Sequence, residues 1–143
     1  MTIKKFGAAE WSGGIKDGKG KVSTESGALE NQPYGFNTRF EDEVGTNPEE
    51  LIGAAHAGCF SMALSKILGE DDMVAEKIET KATVSLDKKD DGFAVTAIHL
   101  DVKLKVSGGD KQSAEKAAKS AKENCPISKL LNADISMDLS VDA

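Results

Sequence analysis

Residues 48–69 read PEELIGAAHAGCFSMALSKILG, and this stretch decides the fold. Between Leu51 and Leu64 only His56 and Ser61 interrupt its apolar character. The pattern predicts a helix over about 48–68, with Asn47 as cap, Pro48 at the first helical position and Gly69 ending it. A helix that is apolar nearly all round is central and needs cover on more than one side. Gly53, Ala54, Ala57 and Gly58 leave little side chain, so another helix backbone can approach closely, even though a mid-helix glycine costs about 1 kcal/mol relative to alanine. A chain of 143 residues has few other elements to cover such a helix, which points to a homodimer that buries it.

The strongest strand signals lie downstream. In KIETKATVSLD, Ile78, Ala82, Val84 and Leu86 alternate with Lys77, Glu79, Lys81 and Ser85; in AVTAIHLDVKLKV, Ile98, Leu100, Val102, Leu104 and Val106 share a face. With DKKDDG between them, the two segments form an antiparallel hairpin with one wet side. DISMDLSV repeats the alternation through Ile135, Met137, Leu139 and Val141. Between these strands, Ala114, Ala117, Ala118 and Ala121 recur at helical spacing behind Asp110, a candidate N-cap. A short helix starts at Pro126, with Cys125 at its cap and Ile127, Leu130 and Leu131 directed inward. Upstream, glycine-rich turns separate short strands around 4–11 and 20–25. YGFNTRF, residues 34–40, reads as a further strand, with Tyr34, Phe36 and Phe40 on one face and Asn37 and Arg39 on the other.

These elements make a single α+β domain over residues 1–143, with antiparallel sheets packed around a long central helix. A hydrophobic share of 39% is that of a globular chain, and the longest nearly apolar run falls short of the roughly 18 residues a membrane span requires. The start, MTIKKFGAAEW, lacks the apolar core of a secretory signal, so a cytoplasmic location is expected. Net charge of −6 argues against binding nucleic acid or an anionic membrane, both of which are recognised through Lys and Arg. Two cysteines in a reducing compartment form no permanent structural disulfide, and neither has the companion ligands of a zinc site.

Cys59, taken alone, reads either as a small hydrophobe in a buried helix or as a working thiol. The longer stretches KGKVSTESG, NQPYGFNTRFE, GTNPEELIGAAHAGCFSMAL, VSLDK and NCPIS, in this order, resemble the family of osmotically inducible protein C (OsmC) and the organic hydroperoxide resistance (Ohr) proteins. The resemblance covers nearly the whole chain; glycine at position 58, where the family usually has alanine, is a small departure. It implies an intertwined homodimer of the OsmC-like type and a thiol peroxidase that reduces organic hydroperoxides in oxidative and osmotic stress defence. It also implies Cys59 as the peroxidatic cysteine, Cys125 as the resolving one, and Arg39 and Glu49 as their charged partners. No metal, haem or flavin cofactor is implied. The expected reductant is a dithiol, a lipoylated protein in the better studied relatives.

The chemistry of these residue types agrees. The nucleophile must be a thiolate, free cysteine has a pKa near about 8.5, and burial raises it further. Cys59 lies too far into its helix to use the helix dipole, so a cation is needed; Arg39 is permanently charged and offers a planar fork of donors. Glu49 beside sulfur would oppose ionisation, so its useful place is on the guanidinium, while Glu50 completes a capping box with Asn47. Ten residues of straight helix separate Glu49 from Cys59 by about 15 Å. The expectation is therefore that Arg39 and Glu49 of one subunit face Cys59 of the other. His56 has no acidic companion or further ligand in view and reads as a packed or interface histidine, His99 lies on the polar side of its strand, and neither is assigned a catalytic role. Two rival readings stand beside the peroxidase: a stress-induced redox sensor or binding protein that uses the same thiols without efficient turnover, and a purely structural dimer with Cys59 in its core.

Overall fold

In the computed structural model, which describes residues 1–143, the chain divides into two compact units, Met1–Leu51 and Ile52–Ala143. The first is a three-stranded antiparallel sheet of β1 (Gly7–Ser12), β2 (Lys19–Thr24) and β3 (Gln32–Tyr34) in that order, followed by α1 (Phe36–Phe40). Gly20 on β2 is buried where the Trp11 and Tyr34 rings meet, and a Cβ there would stand 2.4 Å from the Tyr34 ring. Only glycine lets these two rings close over the strand.

One sequence expectation fails in this unit. Residues 34–40 do not continue as a strand; β3 stops at Tyr34 and one helical turn follows. Local side-chain bonds outweigh the weak alternation there. Thr38 Oγ1 accepts the Gly35 N–H at 2.7 Å and donates back to the Gly35 carbonyl at 3.0 Å. Asn47 Nδ2 then donates to the Thr38 carbonyl at 3.2 Å. The turn also sets Phe36 and Phe40 four residues apart, with ring centroids at 4.9 Å.

Helix α2 (Pro48–Glu70) is unbroken over 23 residues. Its start follows the cap expected from sequence: the Glu50 N–H donates to Asn47 Oδ1 at 2.8 Å. Its end does not, because Gly69 stays helical and Asp72 takes the left-handed conformation at φ 59°, with the Met73 N–H bonded back to the Leu68 carbonyl at 2.9 Å. Aspartate tolerates that region better than most residues, so the chain runs on to use it. By length and composition α2 is apolar enough to cross a bilayer, yet Phe60, Leu64 and Leu68 are fully buried in the core of the second unit.

That core is built on a second sheet, ordered β4 (Val74–Lys89), β5 (Gly92–Ser107), β6 (Asp134–Asp142). Strands β4 and β5 form the long antiparallel hairpin read from their alternation. Strand β6 alternates as expected but pairs parallel to β5, a departure from an all-antiparallel sheet. The intervening α3 (Lys111–Asn124) and α4 (Pro126–Leu130) form the crossover that a parallel return needs. Asp110 caps α3 by accepting the Ser113 N–H at 2.7 Å, and Ala114, Ala117, Ala118 and Ala121 are all buried. Leu130, expected to point inward, is 72% exposed; Ile127 and Leu131, four residues apart, are the positions that face the core, and Leu130 falls beside that line.

Gly53 is where α2 approaches the sheet most closely. A Cβ at this position would lie 2.9 Å from the Ala82 carbonyl oxygen of β4, a backbone atom that cannot swing aside. Gly53→Ala should therefore lower the thermal midpoint, by about 1–3 kcal/mol of stability, in spite of alanine's better helix propensity. A midpoint at or above that of the parent would show that the two backbones are not in contact.

Candidate functional site

The four residues singled out from sequence come together as two pairs, one in each unit. In the first unit, one turn of α1 presents Arg39 to the opening turn of α2. Arg39 Nε donates to Glu49 Oε1 at 3.0 Å and Nη2 to Oε2 at 2.9 Å, a bidentate fork with the carboxylate largely buried and the guanidinium still partly open. The same guanidinium carbon lies 5.5 Å from the centre of the Phe40 ring. Glu50 is occupied elsewhere: its carboxylate accepts Thr46 Oγ1 at 3.0 Å and Asn47 Nδ2 at 3.1 Å. A groove of about 320 Å³, lined by Trp11, Ile15, Tyr34, Phe36 and Phe40, opens beside Arg39.

The second unit holds the sulfurs. Cys59 is half-buried on α2, Cys125 is fully buried between α3 and α4, and both are free thiols. The Cys125 thiol and the Ile127 backbone N–H lie near enough to the Cys59 thiol to act on its ionisation. Burial pushes the Cys59 thiol up from its ordinary value; the Ile127 N–H pulls it down, and Cys125 raises it again. A groove of about 660 Å³ runs along Cys59 between Met62, Ala63, Ile67, Ser120 and Pro126, with Lys66 at its edge. Phe36 and Phe40 line the groove beside Arg39, and Met62 lines that beside Cys59. Ile52 instead packs on the core.

Sequence reasoning missed Ser128. It stands at the third position of α4, where its N–H donates to Cys125 Sγ at 3.3 Å and its hydroxyl lies 3.2 Å from the same sulfur. The available signal was positional: a side chain at N-cap is within reach of the group at N3. Ser128 Oγ also lies 2.7 Å from Nε2 of His56, which is fully buried. His56 is thus tied to the sulfur site, where the sequence offered only a packed histidine. His99 sits on the exposed face of the second sheet, 2.9 Å from Asp138 and 3.4 Å from Asp101. Their donor atoms all fall within 4.8 Å of one another, and these are the residues able to hold a metal ion, far in chemical character from the thiol site.

The family model described as OsmC-like protein matches residues 40–140. The chain is 59% identical over 138 residues to peroxiredoxin OsmC of Escherichia coli, covering 96% of each. It is 31% identical over 123 residues to the organic hydroperoxide resistance protein OhrB of Bacillus subtilis, covering 84% of this chain and 88% of that one. Among solved structures, an OsmC-like protein from Vibrio cholerae superposes with a TM-score of 0.76 at 18% identity, over 97% of this chain and all of the other, a likeness of fold.

The buried imidazole gives stability a pH dependence. Burial depresses His56 below its ordinary value near 6.5, so the folded chain resists a proton that the unfolded chain accepts. Its stabilising contribution is complete above that value and is lost as pH falls through the lower folded value, at up to about 1.4 kcal/mol per pH unit. Urea unfolding followed from pH 7 to 5 should show this decline, and His56→Gln should flatten it; an unchanged slope in the variant would assign the decline to other groups.

Proposed function

Because the chain belongs to the OsmC-like protein family, we propose that it is a peroxiredoxin-like enzyme that reduces organic hydroperoxides to alcohols in stress defence. The observation that carries the reading is a half-buried Cys59 lining an apolar groove and packing against the core that holds the free thiol of Cys125. The Cys59 thiolate attacks the distal peroxide oxygen; the O–O bond breaks, the alkoxide takes a proton and leaves as alcohol, and Cys59 becomes a sulfenic acid. Cys125 then displaces that oxygen as water and forms the disulfide, which a dithiol, of lipoyl type by kinship with the family, returns to two thiols. The apolar groove favours alkyl or aryl peroxides over hydrogen peroxide, at about 0.8 kcal/mol for each methylene buried.

Burial opposes ionisation of Cys59, so the site needs a cation. Arg39, held in its fork by Glu49, fits that role and can also polarise the O–O bond. The unbroken α2 keeps ten residues of helix, about 15 Å of rise, between Glu49 and Cys59. This supports a homodimer in which Arg39 and Glu49 of one subunit serve Cys59 of the other. The exposed side of α2 supports it too: Met62 is 77% exposed, and Gly58 has open space above it. The match to the 59% identical relative covers 96% of the chain and so reaches through both compact units, which supports 1–143 as one functional domain, and a cytoplasmic site of action fits the reducing chemistry.

The raised Cys59 thiol is also what a slowly oxidised sensor would show, and turnover separates the two readings. Reduced protein given cumene hydroperoxide and excess dithiol should consume many equivalents of peroxide. Cys59→Ser should abolish this, and Cys125→Ser should stop disulfide formation and let Cys59 overoxidise. A single equivalent consumed by the parent would favour the sensor; full activity in Cys59→Ser would overturn the mechanism.

A further inference from the structure

Behind Cys125 lies a hydrogen-bonded chain that the cycle above does not use. Cys125 Sγ, Ser128 Oγ and His56 Nε2 follow one another at 3.2 and 2.7 Å, all inside the core of the second unit. The far nitrogen, His56 Nδ1, is buried with no partner. An unsatisfied buried polar atom carries a desolvation penalty, and an apolar side chain would fill the same volume without it. The ring therefore has a use that a hydrophobe would not serve, and its one polar contact is Ser128.

We propose that Ser128 and His56 form a proton relay for Cys125, taking the proton off its thiol as it attacks the Cys59 sulfenic acid. This rests on the reading of Cys125 as the resolving cysteine. With the His56 proton on Nδ1, Nε2 accepts from the Ser128 hydroxyl, whose oxygen accepts from the Cys125 thiol. Moving one proton along each link reverses every bond without moving a heavy atom. Nε2–H then donates to Ser128 Oγ, while the Ser128 hydroxyl and N–H both donate to a Cys125 thiolate. The thiolate and imidazolium formed this way carry opposite charges, which offsets part of the cost of burying each.

The step balances. The Cys125 sulfur is oxidised and the Cys59 sulfur reduced as the S–S bond forms and the S–O bond breaks. The oxygen leaves as hydroxide and becomes water by taking up a proton, and His56 gives up the one it received from Cys125, so the step neither gains nor loses a proton overall. Ser128 touches the reacting sulfur; His56 acts through it as a positioning residue. Cys59 on α2 and Cys125 before α4 are the titratable groups of this cluster; burial holds His56 in the neutral form that has a free nitrogen to accept with, while weakening it as a base.

Two measurements test the relay. In rapid-quench mass spectrometry after one equivalent of cumene hydroperoxide, Ser128→Ala and His56→Gln should form sulfenic acid at close to the parental rate. They should form the disulfide on the order of 10² times more slowly, with a pH profile displaced to higher pH, and Ser128→Thr should restore the rate. Disulfide formation with parental rate and profile in both variants overturns the proposal. The second measurement needs no peroxide: in Cys59→Ser protein, the ultraviolet thiolate absorbance of Cys125 is titrated with and without Ser128→Ala. The relay predicts that losing the hydroxyl weakens ionisation about tenfold, and an unmoved midpoint overturns it. A parent inert to peroxide that still shows the tenfold effect overturns the peroxidase reading alone.

Discussion

In the proposed peroxidase cycle Cys59 must ionise, yet it sits on the flank of an apolar helix where burial opposes its charge. Most other features of the site answer that conflict. The first turn of α4 brings one backbone N–H, from Ile127, to Cys59 and another, from Ser128, to Cys125. Pro126 between the cap and these two donors has no N–H to leave unpaired and fixes the backbone that presents them. Neutral dipoles alone do not make a buried thiol a strong nucleophile at neutral pH, so a full positive charge is still required. The bidentate fork on Glu49 keeps Arg39 in one geometry and leaves it partly open to a ligand.

The same apolar helix explains the architecture of the second unit. Phe60, Leu64 and Leu68 carry one side of α2 into the core, while Gly53 lets the backbone close on Ala82. The alanines of α3 permit an equally close approach from the other element that covers the sheet, so that Cys125, which follows α3, is fully buried. There Cys125 meets the Ser128 hydroxyl, which in turn meets His56, so a chain of two polar side chains leads away from the buried sulfur.

The sequence was most legible where one periodicity ran long. Sixteen-residue strands β4 and β5, the alternation of β6 and the alanine stripe of α3 all announce which face is buried. The start of α2 was equally plain, because Asn47, Pro48 and Glu50 are strong local signals. Short segments were misread. In residues 34–40 three aromatic positions mimic a strand, and what overrides them is Thr38 bonding to Gly35 and Asn47 bonding to Thr38, a pattern that period counting does not see. The parallel pairing of β6 depends on the crossover made by α3 and α4, and alternation carries no direction. Arg39, Glu49, Cys59 and Cys125 were found through residue chemistry and family resemblance; Ser128 and the buried contact of His56, 72 residues apart in sequence, were not, since only the fold brings them together.

The central claim is that a thiol buried on one subunit is activated by a guanidinium from the other, and heterodimers test it most directly. One subunit carries Cys59→Ser and the other Arg39→Ala, each paired with itself being inactive. If the site is shared, the mixed dimer contains one complete set of groups and turnover of cumene hydroperoxide reappears. A mixed dimer no more active than either homodimer, or a chain that remains monomeric at working concentration, would contradict the account.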